Sequence, residues 1–283
     1  MEKITIGACD WALPGGGMYA AQIASAVGLK ALSLRIGLYE NDYPVTHPEM
    51  QKIYLSEQQK YGIEYCSLAL NDFDNFPFHA RKGTKVYEIV WDLLKRVIPT
   101  ARVLGIRIIQ VPGAFASEIK TEEDLEYSTS AFQYLCDVAG EYEIGVASEN
   151  LMVPDRFKTL FQMVGRNNFH LYFDTQNYHL FCGYKEVDVL EVLYPYICNQ
   201  IHVKDGLRED GLTGLSGAPL GAGDAGFFET MSWLDAHNYS GYLLLENYYD
   251  RLPLRTHARS PYDLLREDIK TLNKAIKSPS SDS

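Results

Sequence analysis

Apolar residues in this chain come in short runs, each followed by a polar turn and a longer stretch with helical spacing. The runs are ITIGACD (4–10), ALSLRIG (31–37), IEYCSLAL (63–70), IRIIQVPG (106–113), IGVASEN (144–150), FHLYFDTQN (169–177), ICNQIHVKD (197–205) and GYLLLEN (241–247). Their length and β-branched or aromatic content read as strands. The stretches between them read as amphipathic helices: MYAAQIASAVGL, THPEMQKIYLSEQQKYG, TKVYEIVWDLLKRVIPTARVLG, EEDLEYSTSAFQYLCDVAGEYE, FKTLFQMVGR, VDVLEVLYPYI, FFETMSWLDAHN and PYDLLREDIKTLNKAI. Gly62 is placed to cap the second of these, and Pro99 to kink or break the third.

Strands alternating with helices predict right-handed βαβ units and a parallel sheet. Eight such units in 283 residues match a single (β/α)8 TIM barrel, an α/β fold, with a catalytic domain over 1–277. An open doubly wound sheet would more often carry Gly-x-Gly-x-x-Gly after its first strand. Here that strand leads into Leu13-Pro14-Gly15-Gly16-Gly17, which lacks the spacing. Only the tail at 278–283, SPSSDS, reads as disordered.

The stretch NQIHVKDG at 199–206 departs from a buried strand. Gln200, His202 and Lys204 alternate with Ile201 and Val203, so one side of the strand is polar. A barrel explains this, because alternate side chains face its interior and catalytic groups gather at the C-terminal strand ends. Glu149, Asp174, His202 and Glu246 sit in or just after the last four apolar runs. If all four face inward they meet at one rim as a hard, oxygen-rich ligand set. Such a set suits one divalent ion, Mn2+ or Mg2+, with Co2+ or Zn2+ also compatible. Taken singly, each has a plainer reading: a strand-end Asp as a turn or helix cap, a strand His as a hydrogen-bonded core residue.

Composition narrows the function classes. The net charge of −11 gives a surface that repels a phosphate backbone, which argues against nucleic acid as partner. No run approaches the length of a membrane span, and MEKITIGACDWALPGGG carries no signal-peptide pattern. The five cysteines (Cys9, Cys66, Cys136, Cys182, Cys198) are scattered, with no Cys-x-x-Cys pair. They read as small buried hydrophobes of a reduced cytoplasmic enzyme. Trp11, Phe73, Phe76 and Phe78 read either as pocket walls or as packing. Gly221 to Asp224, GAGD, reads as turn chemistry.

Over nearly its whole length the sequence resembles the xylose isomerase-like TIM barrels of the sugar phosphate isomerase/epimerase group, which includes ketose 3-epimerases and inosose isomerases and dehydratases. The likeness is most specific in SEN (148–150), FDTQN (173–177), IHVKD (201–205), PLGAGDAGF (219–227) and GYLLLEN (241–247). It implies a divalent ion, often Mn2+, held by Glu149, Asp174, His202 and Glu246. It also implies that Glu149 and Glu246 move protons on opposite faces of a substrate carbon. Asp155 and Arg208 fall where the epimerases contact substrate. Three residues after the metal Asp, where the epimerases place a His, this chain has Asn177, with His179 two further on. Gln110 stands where several relatives have His, and the second strand reads Leu32-Ser33-Leu34-Arg35 where many members have an inward Glu. These departures bear on substrate more than on metal, and they count against the DNA-repair relatives, whose zinc cluster needs more ligands. Arg35 could bind a carboxylate or phosphate, or pair with an acidic neighbour. Lys204 could hold a substrate oxygen or a neighbour such as Asp205.

The expectation is therefore a metal-dependent isomerase or epimerase of a sugar or keto-polyol, working by proton abstraction through an enediolate. The alternative is a lyase on the same scaffold, a keto-inositol dehydratase or an eliminase of a 3-keto glycoside. A barrel that binds a polyol without turnover is the non-enzymatic alternative. Family members are often dimers or tetramers, which implies a homo-oligomer.

Overall fold

The computed structural model describes residues 1, 3–208, 217–254 and 259–277. The segment 278–283, expected to be disordered, lies outside them.

Eight parallel strands close into a barrel in the order β1-β10-β7-β6-β5-β4-β3-β2. They are β1 Ile4–Cys9, β2 Ala31–Arg35, β3 Glu64–Ala69, β4 Ile108–Gly113, β5 Gly145–Asn150, β6 Phe169–Asp174, β7 Ile197–Val203 and β10 Gly241–Leu245. Each expected strand is present, trimmed by a few residues. Two two-residue strands, β8 Asp205–Gly206 and β9 Gly217–Ala218, pair antiparallel and were not expected.

The helices are α1 Ala20–Ala26, α2 Pro48–Tyr61, α3 Lys85–Leu104, α4 Glu122–Gly140, α5 Pro154–Val164, α6 Glu186–Leu193, α7 Phe227–Ala236 and α8 Pro261–Lys277. Gly62 ends α2 in the left-handed conformation, φ 65°, which glycine adopts without the strain of a Cβ. Pro99 does not break α3, which continues through it to Leu104. Its missing N–H costs one helical hydrogen bond. The buried face of Val90, Leu93, Leu94, Val97, Ile98 and Ala101 offsets that cost through apolar burial. Among the described residues, no helix is long and apolar enough to cross a membrane.

The chain divides into two compact units. One comprises Ser33–Tyr172 with Tyr196–Cys198. Its interior is aromatic: Phe78 lies 4.5 Å from Phe132, which lies 4.7 Å from Phe169. Phe73 is 5.2 Å from Phe78, and both are buried. Phe73 and Phe78 are therefore packing residues rather than pocket walls, while Phe76 meets Tyr39 edge-on at 5.8 Å. The other unit comprises Met1–Leu32, Phe173–Pro195 and the chain from Asn199 onward. It is built on the β1–β10–β7 ladder, where Leu243, Leu244 and Leu245 are fully buried.

Candidate metal centre

In the ladder of β7 and β10, Gln200 faces Tyr242, Ile201 faces Leu243, His202 faces Leu244 and Val203 faces Leu245. In-register residues of parallel strands project to the same side, so one step further Lys204 meets Glu246. Its Nζ lies 2.7 Å from Glu246 Oε2 and 3.3 Å from Asp174 Oδ2. His202 Nδ1 lies 3.1 Å from the same Glu246 oxygen. The other oxygen, Oε1, accepts a hydrogen bond from Trp11 Nε1 at 2.9 Å. Asp174 Oδ1 accepts the backbone N–H groups of Gln176 and Asn177, each at 2.8 Å.

Asp174, His202 and Glu246 are buried, and their ligand atoms lie within 4.8 Å of one another. Burial opposes the Glu246 charge, but the charges and hydrogen bonds of His202 and Lys204 outweigh it and hold the carboxyl well below its ordinary range. Two carboxylates and an imidazole, held together out of water, are chemically suited to a divalent cation. Lys204 carries positive charge to the same carboxylates. The Oδ2 of Asp205 accepts the backbone N–H groups of Gly221 (2.8 Å) and Gly223 (3.1 Å). Gly223 permits that approach, since a Cβ there would lie 2.2 Å from Asp205 Oδ1. The GAGD stretch is turn chemistry after all.

In the other unit, Gln110 on β4 donates its side-chain N–H to Glu149 Oε2 on β5. Gln110 is buried and Glu149 half-buried. Arg35 ends β2 and is half-buried. Asp155 lies in the first turn of α5 with its side chain 96% exposed, 3.6 Å from Lys158 Nζ. A carboxylate there favours the helix N-terminus.

His179 sits in a π-helical turn, Tyr178–Cys182. Its ring Nε2 lies 2.9 Å from Asp224 Oδ1, and its backbone N–H donates to Glu186 Oε1 at 2.8 Å. Asp224 also accepts the backbone N–H of Arg208, at 3.0 Å to Oδ1. The Arg208 guanidinium lies against Gly183, where a Cβ would come 2.0 Å from Nη1.

Sequence reasoning missed several of these. Glu186 is buried, and burial lifts its carboxyl well above its ordinary range. Asp268 on α8 accepts Leu220 N–H (2.8 Å), Asn247 Nδ2 (2.7 Å) and Tyr249 O–H (2.9 Å). Burial pushes its carboxyl up to about 6. Both lie on amphipathic helices, where an acid reads as a solvated face. The one available signal was Asp268 falling among the buried positions Leu264, Leu265 and Leu272 of α8.

The sequence model of a family described as xylose isomerase-like TIM barrel matches residues 21–275. A similar protein is the 2-epi-5-epi-valiolone 7-phosphate 2-epimerase of Actinoplanes sp., 28% identical over 229 residues, which are 81% of each chain. Among solved structures, the IOLI protein with a bound zinc atom is similar at TM-score 0.77 and 17% identity, covering 98% of this chain and 100% of that one. The probable 3-DHS dehydratase AsbF from Bacillus anthracis is similar at TM-score 0.69 and 14% identity, covering 95% and 98%. At such identities these structures share the fold. Neighbours on the scaffold thus include epimerases and a dehydratase.

Proposed function

The chain belongs to the xylose isomerase-like TIM barrel family, and on that premise we propose that it is a divalent-metal-dependent isomerase or epimerase of a sugar, sugar phosphate or keto-polyol. One observation carries the proposal: Asp174, His202 and Glu246, three residues of one compact unit, each offer a ligand atom, and these atoms lie within 4.8 Å of one another; Glu149 is the fourth ligand in this reading. The donor set fits Mn2+ best, with Mg2+, Co2+ and Zn2+ as other candidates. Bound there, the ion would polarise the substrate carbonyl and stabilise negative charge on its oxygen.

The chain's own residues do the rest. Glu246, kept ionised by His202 and Lys204, takes the proton from the carbon beside the carbonyl. Trp11 fixes the plane of that carboxylate through Oε1. Glu149, steadied by Gln110, serves the opposite face. Proton return from that face inverts the centre, while return to the neighbouring carbon exchanges aldose and ketose. Lys204 answers negative charge near Glu246 and Asp174. Arg208, His179 and Asn177 contact substrate oxygens, with Asp224 and Glu186 holding His179 in place. The enzyme is cytoplasmic and homo-oligomeric in this reading.

The test is to screen metal-loaded protein against ketoses, keto-inositols and 3-keto glycosides in deuterated water, reading product mass and deuterium together. Epimerisation or isomerisation incorporates deuterium at the reacting carbon and keeps the skeleton intact. Loss of water or of an aglycone moves the assignment to a lyase. No exchange into any of these substrates contradicts the proposal.

A further inference from the structure

β1 brings a different kind of ligand atom to the centre. Ala8 is in register with Leu245, so Cys9, the last residue of β1, stands across from Glu246. Cys9 is fully buried. Its Sγ, a ligand atom of His202 and one of Glu246 all lie within 4.8 Å of one another. Among the described residues, Cys9 alone of the cysteines joins such a group. Sulfur and imidazole ligands select borderline and soft ions, while carboxylate oxygens select Mn2+ and Mg2+. Three protein ligands with a fourth position left open is also a recurrent arrangement for zinc.

We propose that Cys9, His202 and Glu246 form a second, softer ligand set that takes a thiophilic divalent ion (zinc, cobalt or cadmium). This rests on the reading that these strand ends hold a divalent ion, and adds to it a sulfur ligand on β1. Coordination replaces the S–H bond of Cys9 with a metal–sulfur bond and releases the proton to solvent, with no change of oxidation state. His202 and Glu246 belong to both sets, so the two occupancies exclude one another. An ion seated on the Cys9 set, rather than on the oxygen-rich one, then inhibits by withdrawing His202 and Glu246 from Asp174, and a chelator reverses the inhibition.

The test is a Co2+ titration of the full-length metal-free protein followed by absorption spectroscopy, with Mn2+ binding measured alongside by electron paramagnetic resonance. Wild type should show visible cobalt bands together with a near-ultraviolet thiolate-to-cobalt charge-transfer band. Cys9→Ser should keep the visible bands, lose the charge-transfer band and bind Cd2+ at least about tenfold more weakly, as expected for loss of a metal contact. Its Mn2+ affinity should change by less than about threefold, because a hard ion makes little use of sulfur. Cobalt bound to wild type without the charge-transfer band overturns the inference, and this needs no variant to fold. Persistence of the band in Cys9→Ser or Cys9→Ala overturns it too. Mn2+ binding without a cobalt–thiolate band removes this inference alone, whereas failure to bind either ion removes the functional reading with it.

Discussion

Glu246 and Asp268 are buried carboxyl groups joined by Asn247, which follows one in sequence and donates to the other at 2.7 Å. Their surroundings differ in charge. Glu246 faces His202 and Lys204, and its carboxyl stays ionised despite burial. Asp268 faces an amide, a phenol and a backbone N–H, all neutral, and burial lifts it to about 6. Burial alone therefore does not decide what a buried acid does here. Lys204 and His202 keep Glu246 ionised, as the base and ligand roles proposed for it require, whereas neutral dipoles make Asp268 an anchor for Leu220 and Asn247.

The largest effect should follow from removing the charge at Glu246. Glu246→Gln should slow solvent-deuterium exchange into substrate by about 10²–10⁴-fold, the usual scale of general acid–base catalysis. Exchange at the wild-type rate would erase the distinction between the two acids. Next comes Lys204→Met, which leaves Asp174 and Glu246 without their ammonium partner. In metal-free protein this should cost on the order of 3 kcal/mol in urea unfolding, as for a broken buried pair. Added Mn2+ should restore most of the loss. Equal stability of mutant and wild type would mean that Lys204 is not the cation holding this centre.

Asp268 supplies a pH test of the opposite sign. Its folded value of about 6 lies above the ordinary 3.8. Between those values the folded chain holds a proton that the unfolded chain has released, so stability falls as pH rises from about 4 to about 6. The loss is on the order of 3 kcal/mol from a shift of this size. Asp268→Asn should flatten that slope in urea titrations stepped through the window. Glu246, with its value lowered, contributes stability that is present above about 4.5 and lost as pH falls below it. The smallest effect is Trp11→Phe, which removes one hydrogen bond to a charged oxygen. About 1.5–3 kcal/mol is at stake, read as a fall in kcat with KM little changed.

The barrel was legible because its eight apolar runs are short and interleaved with stretches of helical periodicity. His202 stood out because Gln200 and Lys204 share its side of the strand, and register with β10 places Lys204 beside Glu246. NQIHVKDG thus has a polar side, and Lys204, expected to hold a substrate oxygen or an acidic neighbour such as Asp205, lies beside the acids Glu246 and Asp174. What stayed illegible depends on contacts distant in sequence. Trp11 reaches Glu246 across 235 positions, and Asp268 gathers its donors from two distant segments, Leu220 and the Asn247–Tyr249 stretch. Cys9 carried no mark beyond being buried. Pro99 misled because local helix breaking was weighed without the apolar face that holds α3 together.

The most direct measurement is the binding of Mn2+ to metal-free protein, followed through loss of the free-ion electron paramagnetic resonance signal, in wild type and Asp174→Ala. The prediction is an ion bound per wild-type chain, with affinity at least about tenfold weaker once the Asp174 ligand is gone. Equal binding by the two proteins, or none by wild type, would contradict a divalent-metal centre at Glu149, Asp174, His202 and Glu246.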